Sequence, residues 1–226
     1  MSDSANWAQP VDRLHVDEAQ RDHAFNLEGK RVAGPQQGFG SLWDRRFTIA
    51  LGTAVGAERL IADWRAHFGE FWPKGNTFYS GDAAIRAGDV TPLTASGATT
   101  GILVIYADET SFSYLTPEGH MLSGMITFSA REDAASGTVA EIRMLVRPHD
   151  PLIQLVWPVG RTAEGSMWRR TLENLAASYG VTGAPVTEHS VCVDRRMIWK
   201  NWRNVRGNVF FATFRHRVTH RKHAAS

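Results

Sequence analysis

Residues 100–131 read TGILVIYADETSFSYLTPEGHMLSGMITFSAR, and the run contains three strands in succession. Ile102 to Tyr106 is a short apolar segment bounded by Gly101 and Asp108. Ser111 to Leu115 alternates, with Phe112 and Tyr114 on one face and Ser111 and Ser113 on the other. Thr116-Pro117-Glu118-Gly119-His120 then punctuates the chain. A third segment alternates again: Leu122, Gly124, Ile126 and Phe128 share one face, and Ser123, Met125, Thr127 and Ser129 share the other. A period of two puts alternate side chains on opposite faces of a pleated strand. Connections this short join antiparallel neighbours.

Upstream, Leu42 to Leu51 alternates, with Arg45, Phe47, Ile49 and Leu51 on one parity, and is the first strand. Ala57 to Phe71 changes period. Leu60, Ile61, Trp64, Phe68 and Phe71 recur every three or four residues and make one apolar helix face, ended by Pro73, Lys74 and Gly75. Phe78 to Ile85 reads as a second strand, and Gly88 to Gly97 as a loop rich in Gly, Pro, Ser and Thr. Downstream, Thr138 to Val146 is a strand with Ala140, Ile142, Met144 and Val146 on its apolar face. A helical period returns from Pro151 to Tyr179, where Pro158 and Gly160 predict a kink or break and Gly180 a C-cap. Strands in series with segregated helices make an α+β domain, a helix packed on one face of a curved antiparallel sheet. The chain divides into an N-terminal arm over residues 1–40, lying on the body or partly mobile, a central domain over 41–181, and a C-terminal extension over 182–226.

With 226 residues, 43% hydrophobic and 21% charged, the composition is that of one globular domain with a sizeable core. The apolar runs fall far short of the roughly 20 residues of a membrane helix. The first residues, MSDSANWAQPVDRLHVDE, lack the apolar core of a signal peptide. Cys192 is the single cysteine, which excludes an internal disulfide and reads as a buried, inert thiol. These features point to the cytoplasm and to no membrane partner. Charge is unevenly spread. Nine of the 25 Lys and Arg follow Asp194, the last acidic residue, so residues 1–194 hold sixteen basic against 23 acidic side chains, a balance of −7. An acidic body carries a basic tail.

The order of elements resembles the START-like, helix-grip superfamily that includes the birch-pollen allergen. More specifically it is similar to an uncharacterised START-like branch known only as a domain of unknown function. The likeness spans roughly residues 42–180. It is carried by Phe112-Ser113-Tyr114, Leu115-Thr116-Pro117-Glu118-Gly119-His120, Gly124, Phe128, Thr138-Val139, Arg147-Pro148 and Pro151-Leu152. Where that branch continues Gly-His with Pro and Glu, this chain has Met121 and Leu122, so no role of those two carries over. The resemblance implies a curved antiparallel sheet gripping a long C-terminal helix around an apolar cavity. It implies no settled activity, because one fold hosts many functions.

Candidate cavity-lining residues are those on the inward parity of strands and helices: Trp43, Phe47, Trp64, Tyr106, Phe112, Tyr114, Phe128, Met144 and Trp168, with Ile49, Phe78, Ile126 and Ile142. An aromatic and apolar lining with a few polar groups suits a small molecule; the same residues also serve as plain core. Glu118, His120 and Tyr114 are the candidate acid/base groups, since His exchanges a proton near neutrality and Glu orients it. The alternative is a hairpin turn in which Gly119 takes a positive φ and its neighbours face water. No cofactor is expected: the glycines of residues 34–40 lack the Lys-Ser/Thr of a phosphate-cradling loop. No metal is expected either. His216, His220 and His223 have helical spacing, but the positive charge around them opposes a cation.

The leading expectation is therefore the binding of an apolar or aromatic small molecule between sheet and long helix. The alternative is a cofactor-free enzyme on the same cavity, a cyclase, isomerase or hydrolase. Both require a cavity of about 300 Å³ or more. A third reading is nucleic-acid or partner binding through the basic tail, which interleaves Arg and Lys with Trp199, Trp202, Phe210, Phe211 and Phe214. Nucleic acid is disfavoured because the acidic body repels a polyanion. Packing of the tail aromatics on the body is preferred, with Val209 to Phe211 as a possible added strand. Self-association is left open.

Overall fold

The computed structural model describes residues 6–79 and 84–223. Nine strands form one antiparallel system: β1 (Val32–Ala33), β2 (Leu42–Gly52), β3 (Thr77–Phe78), β4 (Val90–Ala95), β5 (Ala98–Ala107), β6 (Ser111–Pro117), β7 (Leu122–Asp133), β8 (Gly137–Pro148) and β9 (Thr187–Asp194). The order across the sheet is β3-β4-β5-β6-β7-β8-β2-β9, with β1 added to β6. The helices are α1 (Ala57–Ala66), α2 (Pro151–Ser178) and α3 (Val209–His223). The architecture is α+β: a curved antiparallel sheet grips the long α2. Among the described residues, no helix is long and apolar enough to cross a membrane.

The alternating patterns do the positioning. Phe47, Ile49 and Leu51 of β2, Ile126 and Phe128 of β7, and Ile142, Met144 and Val146 of β8 are buried on the inner face. They meet Leu60, Ile61 and Trp64 of α1 and Trp157, Trp168, Leu172 and Leu175 of α2. The outer face has its own small core. Leu14, Val16, Ala24 and Leu27 of the N-terminal arm pack on Leu103 of β5. Gly101 permits this, because a Cβ there would collide with the Leu27 methyl groups.

Helix α2 runs unbroken through Pro158, where a kink or break is expected. Pro158 faces solvent, so its missing N–H and its ring disturb only the wet side of the helix. The helix begins where Asp150 caps it: Oδ1 accepts from the amides of Leu152 (2.8 Å) and Ile153 (3.1 Å), and Pro151 occupies the first turn.

Several elements depart from expectation. The stretch 88–97 holds strand β4, and the strand expected over 78–85 shrinks to Thr77–Phe78, with residues 80–83 outside the described residues. Pro92 is tolerated in β4 because β3 pairs only at Thr77↔Thr94 and Phe78↔Leu93, so no ladder bond needs its missing N–H. Helix α1 ends at Ala66 and Phe68–Phe71 continues as a 3-10 turn. Val209 to Phe211 open helix α3 and add no strand. The strand added by the C-terminal extension is β9, on the free edge of β2.

Candidate functional site

A cavity of about 200 Å³ lies between the inner faces of β4–β7 and the first half of α2. Trp72, Ile102, Tyr114, Leu122, Ile126, Ile153, Trp157 and Trp168 make most of its wall. Ser96, Val156, Ala163 and Phe210 also line it and are exposed, so they mark its mouth. The volume falls below the ~300 Å³ expected for both small-molecule readings, so it counts against them for any drug-sized ligand and leaves room only for a ring-sized one. It exceeds the ~150 Å³ that holds one benzene. Room remains here because α2 presents Gly160 and Ala163; a Cβ at Gly160 would meet only the Trp157 ring, at 3.9 Å. The other end of the groove is filled by α1 and an aromatic cluster. Phe112 stacks on Phe128 at 4.7 Å, and Trp64 and Phe68 meet Phe128 edge-on at 5.3 and 5.0 Å.

The polar side chains lining the cavity are Ser96, Tyr114, Thr116, His120 and Glu164, with the unpaired indole N–H groups of Trp72, Trp157 and Trp168. Glu164 stands on the sheet-facing side of α2, one turn before Trp168. Arg45 of β2, only 1% exposed, reaches under the helix and donates from Nη1 to Glu164 Oε2 (2.5 Å) and from Nη2 to Glu188 Oε1 (2.8 Å). Arg169 closes the set on Glu188 Oε2 (2.6 Å). Gly165 makes the approach possible, since a Cβ there would sit 2.8 Å from Arg45 Nη2. Burial pushes the Glu164 carboxyl up to about 7, although Arg45 and the Trp168 indole both favour its charged form. The Trp168 N–H lies outside hydrogen-bond geometry and is unpaired. Burial, then the Glu164 charge, push the Tyr114 hydroxyl well above its ordinary range. His120 is held at about 4 by burial, so its ring is neutral at pH 7. Its Nδ1 lies 3.0 Å from both the amide nitrogen and the carbonyl oxygen of Leu122.

The expected acid/base trio is thus divided. Tyr114 and His120 line the cavity, whereas Glu118 turns outward to Arg31 (2.7 Å). Partial burial opposes the Glu118 charge, but bonding to Arg31 outweighs it and holds the carboxyl below its usual value. Gly119 does take a positive φ, +86°. Its N–H donates to Nε2 of the buried His149 (2.9 Å) and its carbonyl accepts from Val209 (3.0 Å). His149 Nδ1 bonds Ser123 Oγ at 2.6 Å. The connector therefore anchors the C-terminal segment.

Of the remaining expected lining residues, Trp168 faces the cavity. Phe47, Trp64, Phe112, Phe128 and Met144 are fully buried core outside it. Trp43 is half-buried under Arg161, which sits 4.3 Å over its ring. Tyr106 lies on the outer face, against Trp7 at 4.8 Å, with its hydroxyl on Asp108 (2.6 Å). A β-bulge between Val104 and Tyr106 is the cause: one extra residue reverses the parity of the strand beyond it. Glu164 and Arg45 are the site residues that the alternation hides. An arginine on the apolar parity of β2 needs a buried carboxylate, and Glu164 is the acid on the facing stripe of α2.

The tail is docked mainly by polar bonds. Asn208 Nδ2 donates to Asp150 Oδ2 (2.7 Å), Thr213 Oγ1 bonds Asn26 and the Thr99 amide, and Arg147 holds the Arg196 carbonyl (2.9 Å) and Asp194 (2.6 Å). Its aromatics stay largely exposed where packing on the body is expected: Phe211 is 58% and Phe214 70% exposed, and Trp199, though 71% exposed, meets the buried Phe39 edge-on at 5.3 Å. Cys192 is half-buried, its thiol 3.7 Å from the Asp194 carbonyl. The side chains of His220 and His223 lie outside the described residues.

The family model described as a domain of unknown function (DUF1990) matches residues 55–174, more than half of the chain. The chain belongs to this family. The DUF1990 match takes in Tyr114, His120 and Glu164 but not Arg45, Glu188 or Phe210, so the family segment supplies most of the cavity and the flanking segments complete it. The fold is of the helix-grip kind, a curved antiparallel sheet around a long helix. Among solved structures, protein CV1439 from Chromobacterium violaceum is similar at 18% identity, over 61% of this chain and 97% of that one, with a TM-score of 0.43. Protein Ms6760 from Mycobacterium smegmatis is similar at 15%, over 66% and 96%, with a TM-score of 0.42. The di-domain ARO/CYC StfQ of the steffimycin biosynthetic pathway is similar at 13%, over 62% and 53%, with a TM-score of 0.43. No curated protein matches the chain.

Proposed function

We propose that the protein binds a small apolar molecule of one or two rings in the cavity between β4–β7 and α2. The observation that carries this reading is an apolar, tryptophan-walled cavity of about 200 Å³ with an exposed mouth at Val156 and Phe210. Interiors are close-packed, so an unfilled volume of this size on an otherwise dense core suits a ligand. Native mass spectrometry of the full chain purified from its source cells tests it, with Gly160→Leu alongside. The leucine improves helix propensity and fills the cavity. The expected result is a co-purifying mass of ring size that disappears in G160L. Its absence, together with no binding of any ring-sized apolar probe, would overturn the reading.

A second reading, a cofactor-free enzyme, is favoured by one observation: Glu164 is held near 7 beside the cavity with Tyr114 and His120 facing the same space. An acid poised near the working pH exchanges protons with a bound substrate. Conversion of the co-purified ligand to a second mass by the wild type but not by Glu164→Gln would select this reading over plain binding.

A further inference from the structure

We propose that Glu164 and Tyr114 form a polar pole inside the cavity that selects an apolar ring bearing a neutral hydroxyl, an alcohol or a phenol. This rests on the small-molecule reading above and narrows it to a ligand class. Glu164 Oε2 is occupied by Arg45, and Oε1 is left for a ligand. The Tyr114 side chain is 3% exposed, its hydroxyl accepts and donates no hydrogen bond among the described residues, and Glu164 is close enough for its charge to act on it. A buried hydroxyl is ordinarily satisfied; here the cavity is the space that remains to satisfy it.

The charges around the pole decide which head group fits. Arg45 and Arg169 bind Glu164 and Glu188 in one chain of contacts, two positive against two negative groups. Once Glu164 is ionised, above about pH 7, the set is neutral and nothing in it calls for an ionic ligand. Arg45 gives Nη1 and Nη2 to the two glutamates, its unpaired Nε is buried and Arg45 does not line the cavity, and a ligand carboxylate would face the Glu164 charge. A ligand hydroxyl meets both partners at once: its O–H donates to Glu164 Oε1 and its oxygen accepts from the Tyr114 O–H. Ile102, Ile126, Trp72 and Trp157 then enclose the ring, and the volume admits a bicycle of about nine carbons at most.

The test is equilibrium dialysis at pH 8.5, where Glu164 is ionised, of the full chain against three matched probes, 5-indanol, indane and indane-5-carboxylate, for wild type, Glu164→Gln and Tyr114→Phe. Wild type is expected to bind 5-indanol about tenfold or more tighter than indane and to reject the carboxylate. Y114F should bring 5-indanol to within about threefold of indane, with indane unchanged. Its fold is secure, because it removes a hydroxyl that bonds no protein group. E164Q should act in the same direction. Equal binding of 5-indanol and indane by wild type, preference for the carboxylate, or an unchanged preference in Y114F would overturn the polar pole while leaving the small-molecule reading in place. Binding of none of the three would overturn both.

Discussion

Glu164 and His149 carry opposite pH signatures. The Glu164 carboxyl is pushed up to about 7 from an ordinary 4.5 by burial. Between those values the folded chain keeps a proton that the unfolded chain has released, so stability falls as pH rises through this window. His120 and His149 are held at about 4, chiefly by burial, against an ordinary 6.5. For them the unfolded chain takes up protons first, so stability is lost as pH falls from 6.5 to 4. A wild-type melting profile mixes the two, and the difference between Glu164→Gln and wild type isolates the first. The variant should gain in melting temperature on wild type between pH 4.5 and 7; a difference that stays flat would show that Glu164 titrates normally. At His149 the prediction concerns geometry. Ser123→Ala leaves Nδ1 of a ring that is 3% exposed without its partner. It should cost about 1–3 kcal/mol in urea unfolding, where a surface serine would cost almost nothing.

Within single elements, what the sequence reveals depends on whether an alternation has one dry face. β7 and β8 each bury one parity, and their register runs unbroken from Leu122↔Pro148 to Asp133↔Gly137, so both are plain in the sequence. Gly124 belongs to that ladder for a reason that the alternation does not show: a Cβ there would strike the Leu145 carbonyl and stand 2.8 Å from the Val146 Cα. Gly124→Ala should therefore cost about 3 kcal/mol by displacing backbone, and an alanine tolerated within 0.5 kcal/mol of wild type in chemical denaturation would contradict the close strand approach. β9 is illegible by contrast. It is an edge strand with polar side chains on both faces, and period two carries no signal when neither face is dry. Tyr106 is misplaced by the bulge before it, a one-residue event that composition does not mark. A cavity is expected from the grip of sheet on helix, but the one present is smaller than the ~300 Å³ expected, and most of the residues expected to line it lie outside its wall. Its polar end is not foreseen, because Glu164 and Arg45 read as misfits on apolar stripes until the two stripes are brought face to face.

At the scale of the whole molecule, the C-terminal segment is bound by hydrogen bonds and leaves its apolar side outward. On α3, Val209 and Thr213 turn inward, while Phe210, Phe211, Phe214 and Val218 are exposed. At about 100° per residue those four lie within one arc of roughly 100°. Leu152, Leu155, Val156 and Val159 make a similar exposed stripe on the first half of α2. Stability and exposed apolarity therefore sit on different sides of the same helix, and two variants separate them. Asn208→Ala removes the bond to Asp150 Oδ2 (2.7 Å) and the acceptor for the Phe210 amide (2.9 Å), with Asn208 itself 3% exposed. It should cost about 2 kcal/mol and raise hydrogen exchange across residues 199–219 while β7 and β8 stay protected. The double variant Phe211→Ser, Phe214→Ser removes far more apolar surface but should leave melting within about 2 °C of wild type, because neither ring is taken out of water by the fold. If the double variant destabilised the chain more than N208A, the tail would be held by its aromatics, as the sequence alone suggests, and α3 would have to lie with its apolar stripe against the body.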